Sequence, residues 1–230
     1  MRARPHLIAA TLALAVVVPS AASFAAPAAA APVRAVEDPL AAPLRQLEVK
    51  WETIKFTVPE GDRQTRQMDA LGAEADALAA KFPDRVEALI WDGILTSERA
   101  SMASAFSALS LANRARDTLE RAYRMNPTAL DAGAPTSLGV LYYRVPGFPI
   151  GFGDNAKARK LLEQAIAAAP DGLDAWYFYG DFLMSRGEYA RARDAFLHAL
   201  SIPTHTDRPL WDENRRLVIK EKLDDIKAKL

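Results

Sequence analysis

Between Leu173 and Thr204 the chain sets Trp176, Tyr179, Gly180, Leu183, Gly187, Tyr189, Ala192, Phe196 and Ala199 at intervals that suit two short helices, and Pro203 follows them. The spacing predicts a helical hairpin in which Gly180 and Ala192 face each other where the helices cross, because small residues let the backbones come close. Trp176, Tyr179 and Phe196 are expected to fill the space around that crossing. Gly187 is expected to end the first helix with positive φ, and Pro203 to stop the second. Neither helix is long enough to be stable alone. Such a unit persists only when stacked on others like it.

The same grammar recurs upstream. Leu138, Gly139 and Tyr142 match the first helix, and Ala158, Leu162, Ala165 and Pro170 the second. Leu89, Ile90, Trp91 and Gly93 pair with Ala115, Leu119, Ala122 and Pro127. A weaker unit pairs Leu47, Trp51 and Ile54 with Leu71, Ala75, Leu78 and Pro83. The last segment, Trp211 to Leu230, carries Ile219, Leu223, Ile226 and Leu230 on one face and reads as a capping helix. This is the tetratricopeptide pattern, with Tyr179 where the pattern has Leu and Leu183 where it has Tyr. Apolar alternation never persists, so no strand is expected. The fold class is therefore all-α: a tetratricopeptide-like stack of about four helix pairs plus a C-terminal capping helix.

Two units are longer than the pattern requires. Gly180 and Ala192 are 12 positions apart, but Gly139 and Ala158 are 19 apart and Gly93 and Ala115 are 22. The stretch ERASMASAFSALSLANR keeps helical spacing, so the second insertion is expected to lengthen helices. The first insertion contains VPGFPIGFGD, Val145 to Asp154, with two prolines, three glycines and two phenylalanines. Proline restricts the backbone and glycine lets it turn, so the loop is expected to be shaped rather than floppy. Asp154 is placed to cap the next helix. Phe148 and Phe152 are expected to be buried beside Tyr143 and Tyr177, since large rings are costly in water.

The chain has 230 residues and opens with Arg2 and Arg4 ahead of the apolar run Leu7–Val18, which ends at Pro19. With the small-x-small site Ser23-Phe24-Ala25, residues 1–25 read as a secretory signal cleaved near Ala25. The run is too short to span a bilayer. Residues 26–43 read as an Ala/Pro-rich flexible leader and residues 44–230 as the repeat domain. The expected location is the periplasm, with no stable membrane anchor, since the sequence has no cysteine to lipidate. The formal charge is +0, with 29 basic and 29 acidic side chains. No basic stripe offers the footprint of nucleic-acid binding.

The stretches SLGVLYYRVPGFPIGFGDNAKARKLLEQAI and DAWYFYGDFLMSRGEYARARDAFLHAL resemble bacterial periplasmic tetratricopeptide-repeat proteins and are similar to the TRAP-transporter T-component family. The resemblance runs from about Leu47 to Leu230. It implies an exported helical repeat protein, accessory to solute uptake, with an internal cavity for a small molecule.

The candidate binding residues follow from the stack and its loop. Thr136, Val140, Tyr143 and Arg144 are expected on the concave surface of the inserted repeat, and Tyr177, Asp181 and Met184 on that of the next. With Phe148 and Phe152, the residues singled out are Tyr143, Arg144, Phe148, Phe152, Tyr177 and Asp181. Either the two rings seal the protein's own groove, or the loop forms a lid over a pocket whose polar contacts are Tyr143, Arg144, Tyr177 and Asp181. No catalytic residue, metal ligand set or cofactor motif is found, and the chain is read as non-enzymatic. Two functions stand. One is a periplasmic protein-interaction scaffold with another envelope protein as partner. The other is a small-molecule-binding accessory of a solute-uptake system, with the Val145–Asp154 loop covering a concave pocket.

Overall fold

The computed structural model describes residues 38–230. The expected signal segment and most of the expected leader lie outside the described residues. Among these residues the chain forms nine helices: α1 (Ala41–Thr57), α2 (Asp62–Lys81), α3 (Val86–Met102), α4 (Ala105–Met125), α5 (Ala129–Arg144), α6 (Asn155–Ala168), α7 (Leu173–Ser185), α8 (Tyr189–Ser201) and α9 (Pro209–Lys227). They pair as α1/α2, α3/α4, α5/α6 and α7/α8, with α9 last. The packed chain begins slightly before Leu44. Leu40 is fully buried, and Asp38 makes a two-pronged ion pair with Arg85 at the start of α3.

Each repeat glycine supports a helix crossing, and the nearest side chain it meets is one turn beyond the alanine expected from the spacing. A Cβ on Gly180 would lie 2.6 Å from the Phe196 ring, and one on Gly139 would lie 2.6 Å from Leu162. Gly93 meets Leu119 in the same way. In all three pairs the partner lies one helical turn beyond Ala192, Ala158 or Ala115. Side chains lean back toward the N-terminus of their helix, so the residue one turn later covers the spot opposite the glycine. Gly180→Leu is expected to overpack this crossing and lower stability by roughly 1–3 kcal/mol in denaturant unfolding. A variant as stable as the parent would contradict the crossing.

Local signals account for most of the boundaries. Gly187 has φ of 74° and closes α7, with Glu188 N–H donating to Leu183 O at 3.0 Å. Asp154 caps α6 by accepting from the backbone N–H groups of Ala156 and Lys157 at 2.9 and 3.0 Å. The longer insertion does extend helices, with only Ala103 and Ser104 between α3 and α4. The start of α5 departs from any helix pattern: Leu130, Asp131 and Ala132 all have positive φ, at 49°, 51° and 59°. Left-handed backbone is costly for residues with a Cβ.

The C-terminal helix does more than cover the open end of the stack. α9 packs against α8, α7 and also α1, so it crosses the concave side and joins the last helix pair to the first. Its direction is fixed at the turn after α8. There Arg216 donates to Leu200 O at 3.1 Å and Ile202 O at 2.8 Å, and binds Asp212. At the far side Arg208 Nε meets Glu52 of α1 at 2.6 Å, with both side chains largely buried.

Candidate binding cavity on the concave face

The crossing of α9 turns the concave groove into a cavity of about 720 Å³. Its wall is mainly apolar. Trp51 of α1, Trp91 of α3, Phe178 of α7 and Trp211 of α9 line it, together with Ile94, Val140 and Leu141. Trp51 and Trp91 pack edge-on at 5.6 Å between ring centroids. The Arg208 guanidinium lies 5.8 Å from the Trp91 centroid and 4.6 Å from that of Trp211. Cation–aromatic contact of this kind orders the rings and the arginine together.

The two insertions meet at one end of this cavity. The lengthened helices supply Ala105, Ala108, Leu109 and Ala112, and the loop supplies Val145, Pro146 and Ile150. The loop holds its shape through its own backbone. Gly151 N–H donates to Gly147 O at 3.1 Å, Gly153 N–H to Pro146 O at 2.9 Å, and Asp154 N–H to Tyr142 O at 2.8 Å. Glycine is required at 151 and 153. A Cβ on Gly151 would stand 2.5 Å from Pro146 O, and one on Gly153 would collide with Val145 O.

The expected burial of both rings fails for one of them. Phe148 is 94% exposed and Ile150 70% exposed. The tight backbone closure throws the tip of the loop outward, although Ile150 still borders the cavity. Phe152 is half-buried, but beside Tyr142 and Arg116 rather than Tyr143 and Tyr177. Its ring stands edge-on to Tyr142 at 5.5 Å, and the Arg116 guanidinium lies 4.6 Å from its centroid. Phe148→Ser is therefore expected to change stability by less than about 0.5 kcal/mol. Phe152→Ala should cost about 1–2 kcal/mol through lost ring packing. Chemical denaturation of the two variants side by side checks the difference.

Of the four proposed polar contacts, only Arg144 lines the cavity. Tyr177 is buried and lies under α9, with the Arg215 guanidinium 4.1 Å from its ring centroid. Asp181 is the hub of an ion cluster that ties three helices. Tyr143 Oη donates to it at 2.5 Å, Arg144 Nη2 at 2.9 Å and Lys222 Nζ at 2.6 Å. Burial pushes the Asp181 carboxyl up. Lys222, Tyr143 and Arg144 outweigh that and hold it below the usual carboxylate range. Burial also raises the Tyr143 phenol. These groups belong to the scaffold. On α7 the cavity is lined instead by Leu173, Asp174, Ala175 and Phe178.

Several lining residues could not be inferred from repeat spacing alone. Trp211 and Arg215 come from the segment expected only to cap the end, and Arg208 from the turn before it. Asp174 accepts from the Trp211 indole at 3.2 Å and pairs with Arg215 at 2.6 Å. A signal did exist for others. Trp91, Ser137 and Phe178 each stand two residues before a repeat glycine, and all three line the cavity.

On the outer side of the stack lies a smaller hollow between α2, α3 and α4. There Arg114 bridges Asp76 and Asp92. Burial first, then the neighbouring Asp76, raises the Asp92 carboxyl to about 6, against the pull of Arg114. Among the described residues no group of three or more His, Cys, Asp or Glu could hold a metal ion, and no helix is long and apolar enough to cross a membrane.

A tetratricopeptide repeat family model matches residues 150–205. With the helix pairing above, that decides the architecture. The fold is a tetratricopeptide-type helical stack. The chain is similar to the crystal structure of TTC0263, a thermophilic tetratricopeptide protein of Thermus thermophilus. The identity is 15%, the match covers 82% of this chain and 99% of that one, and the TM-score is 0.54. It also matches two crystal structures of MamA, both with a TM-score of 0.42. One is 19% identical over 80% of this chain and 88% of that one, the other 20% identical over 74% and 96%. No curated protein matches the chain.

Proposed function

We propose that the protein is an exported, non-enzymatic tetratricopeptide protein that holds a small molecule in its concave cavity. The observation that carries this reading is the crossing of α9 from the last helix pair to α1, locked by the Arg208–Glu52 pair. A groove that grips an extended partner needs an open length. This one is bridged, and its volume of about 720 Å³ lies in the range of small-molecule sites. The signal-like residues 1–25 and the resemblance to the TRAP-transporter T-component family supply the setting, an accessory of periplasmic solute uptake.

A scaffold role is the second reading, and it moves to the outside of the stack. Phe106 at the start of α4 is 99% exposed, and Phe148 and Ile150 stand out from the loop. These are the apolar groups a partner protein would cover.

Native mass spectrometry of protein purified from the cell envelope tests the choice. The expected result is a small-molecule mass that is lost on denaturation, on a chain beginning near residue 26. A ligand-free chain held by a second protein would favour the scaffold. A chain still beginning at Met1 would remove the export reading.

A further inference from the structure

The three most exposed large apolar side chains among the described residues are Phe106, Phe148 and Ile150. All three come from the two insertions. Phe106 stands in the first turn of α4, and the other two at the tip of the Val145–Asp154 loop. The insertions pack on each other. A Cβ on Gly151 would lie 3.4 Å from Leu109 of α4, and the Phe152 ring rests against Arg116 of the same helix. The three tips therefore stand at one end of the molecule, where both insertions border the cavity. Single apolar residues scattered over a surface need no account. Three gathered on the two segments that the repeat pattern does not require do need one.

The surroundings of the tips point to what covers them. No charged side chain occurs from Ala100 to Asn113 or from Val145 to Gly153, in a chain that is 25% charged, so neither stretch brings a charge that would have to be desolvated. Hydroxyls near Phe106 are already bonded within their own turns. Ser101 Oγ donates to Glu98 O at 2.7 Å, Ser107 Oγ lies 3.3 Å from Ser104 O, and the Ser104 and Ser107 hydroxyls are 3.1 Å apart. In the loop, the Ile150 and Gly151 N–H groups both donate to Gly147 O at 3.1 Å, and Pro146 and Pro149 have no N–H to satisfy. A protein interface draws on polar groups at its rim. The interior of a bilayer offers no hydrogen-bond partners, so a surface that enters it must be uncharged and bonded to itself. Acyl chains also reshape around a protruding ring, which then needs no complementary pocket. The basic side chains flanking the two stretches, Arg99, Arg114 and Arg144, each pair with a carboxylate, so attraction to anionic lipid adds little.

We infer that the end built from the two insertions docks reversibly on a lipid bilayer, with Phe106, Phe148 and Ile150 entering the boundary between headgroups and acyl chains. Three side chains make a weak, reversible contact rather than an anchor. Docking sets the insertion-lined end of the cavity against the lipid surface. The contact does not depend on the cavity holding a ligand.

The test is co-sedimentation with vesicles of phosphatidylcholine, alone or mixed with phosphatidylglycerol. It uses the chain from residue 26 onward, which keeps all nine helices and removes the apolar run Leu7–Val18 as a rival contact. Saturable binding to phosphatidylcholine alone is expected, changed less than about threefold by phosphatidylglycerol or by added salt. Phe106→Ser and Phe148→Ser should each weaken partitioning roughly tenfold, the worth of taking one large apolar side chain out of water. Both side chains are almost fully exposed, so neither change disturbs the core. Leu230→Ser, an exposed apolar residue outside the insertions, should leave partitioning unchanged. Binding that survives the double variant Phe106→Ser with Phe148→Ser overturns the assignment of the contact. Binding that needs phosphatidylglycerol and is lost in salt would mean an electrostatic contact and overturns insertion. No binding to either vesicle overturns the proposal. Self-association of the parent that the double variant loses, seen by light scattering without vesicles, would assign the tips to a second copy and also overturn it. The cavity reading survives each of these outcomes, because native mass spectrometry tests it separately.

Discussion

Glu52→Ala is expected to destabilise the protein by about 3–5 kcal/mol, the cost of removing one partner from a buried ion pair. Glu52 and Arg208 are 156 positions apart in sequence, and their contact at 2.6 Å joins the first helix to the segment leading into the last. Removing the carboxylate leaves the Arg208 guanidinium between two indole rings, with Nη2 already unpaired. The double variant Glu52→Leu with Arg208→Met removes both charges and should recover most of the loss, since a buried pair is often replaceable by apolar residues of similar volume. A double-mutant cycle in urea measures the coupling. The same contact governs access to the cavity. In Glu52→Ala, amide exchange should therefore rise in α9 and the facing turns of α1 before it rises in α5 and α6. Uniform exchange across the chain would mean that α9 does not close the groove independently.

Most of the architecture was legible because each repeat carries its own punctuation. Pro83, Pro127 and Pro170 follow α2, α4 and α6, and the repeat glycines fall where one helix crosses its neighbour. Both insertions were visible as excess spacing between a glycine and its alanine. That they meet at one end of one cavity was not visible, because spacing along the chain says nothing about which turns become neighbours when repeats stack. The fate of Phe148 was likewise hidden. Apolarity argues for burial, but the backbone bonds from Gly151 to Gly147 and from Gly153 to Pro146 close the loop too tightly for its tip to fold back. The left-handed turn at Leu130–Ala132 was hidden too, since Leu130 and Ala132 are strong helix formers and Asp131 alone tolerates such backbone.

At α7 the lining differs from the concave positions that repeat spacing predicts, because α9 packs along α7 and reaches α1 instead of only covering the end of the stack. In α5 the expected concave positions Thr136, Val140 and Arg144 do face the cavity. The equivalent positions of α7 are covered by Arg215 and Lys222 of α9. A helix with Ile219 and Ile226 buried and charges around much of the rest is compatible with either placement by sequence alone. The cationic groups of α9 decide it, because Asp174 and Asp181 on α7 give them partners.

Asp181→Ala is accordingly expected to act on stability, even where it also affects binding. The substitution strips three donors of one acceptor: the Tyr143 phenol, the Arg144 guanidinium and the Lys222 ammonium. Tyr143 and Lys222 are well shielded, while Arg144 is half exposed and can turn to water, so the loss should be about 2–4 kcal/mol rather than the sum of three buried bonds. Asp181→Asn keeps an acceptor oxygen for Tyr143 and should cost less. The pH dependence separates this role from a ligand contact. The folded-state Asp181 carboxyl titrates below its ordinary value, so the folded protein binds its proton less readily than the unfolded chain does. Its contribution is fully present above the unfolded value near 4 and is lost as the pH falls through the lower folded value. Denaturant midpoints measured from pH 7 to pH 2 should therefore fall less steeply below about pH 4 in Asp181→Asn than in the parent. Parallel curves would mean that the three donors do not hold the carboxylate in its charged form, and would remove the reason for assigning Asp181 to the scaffold.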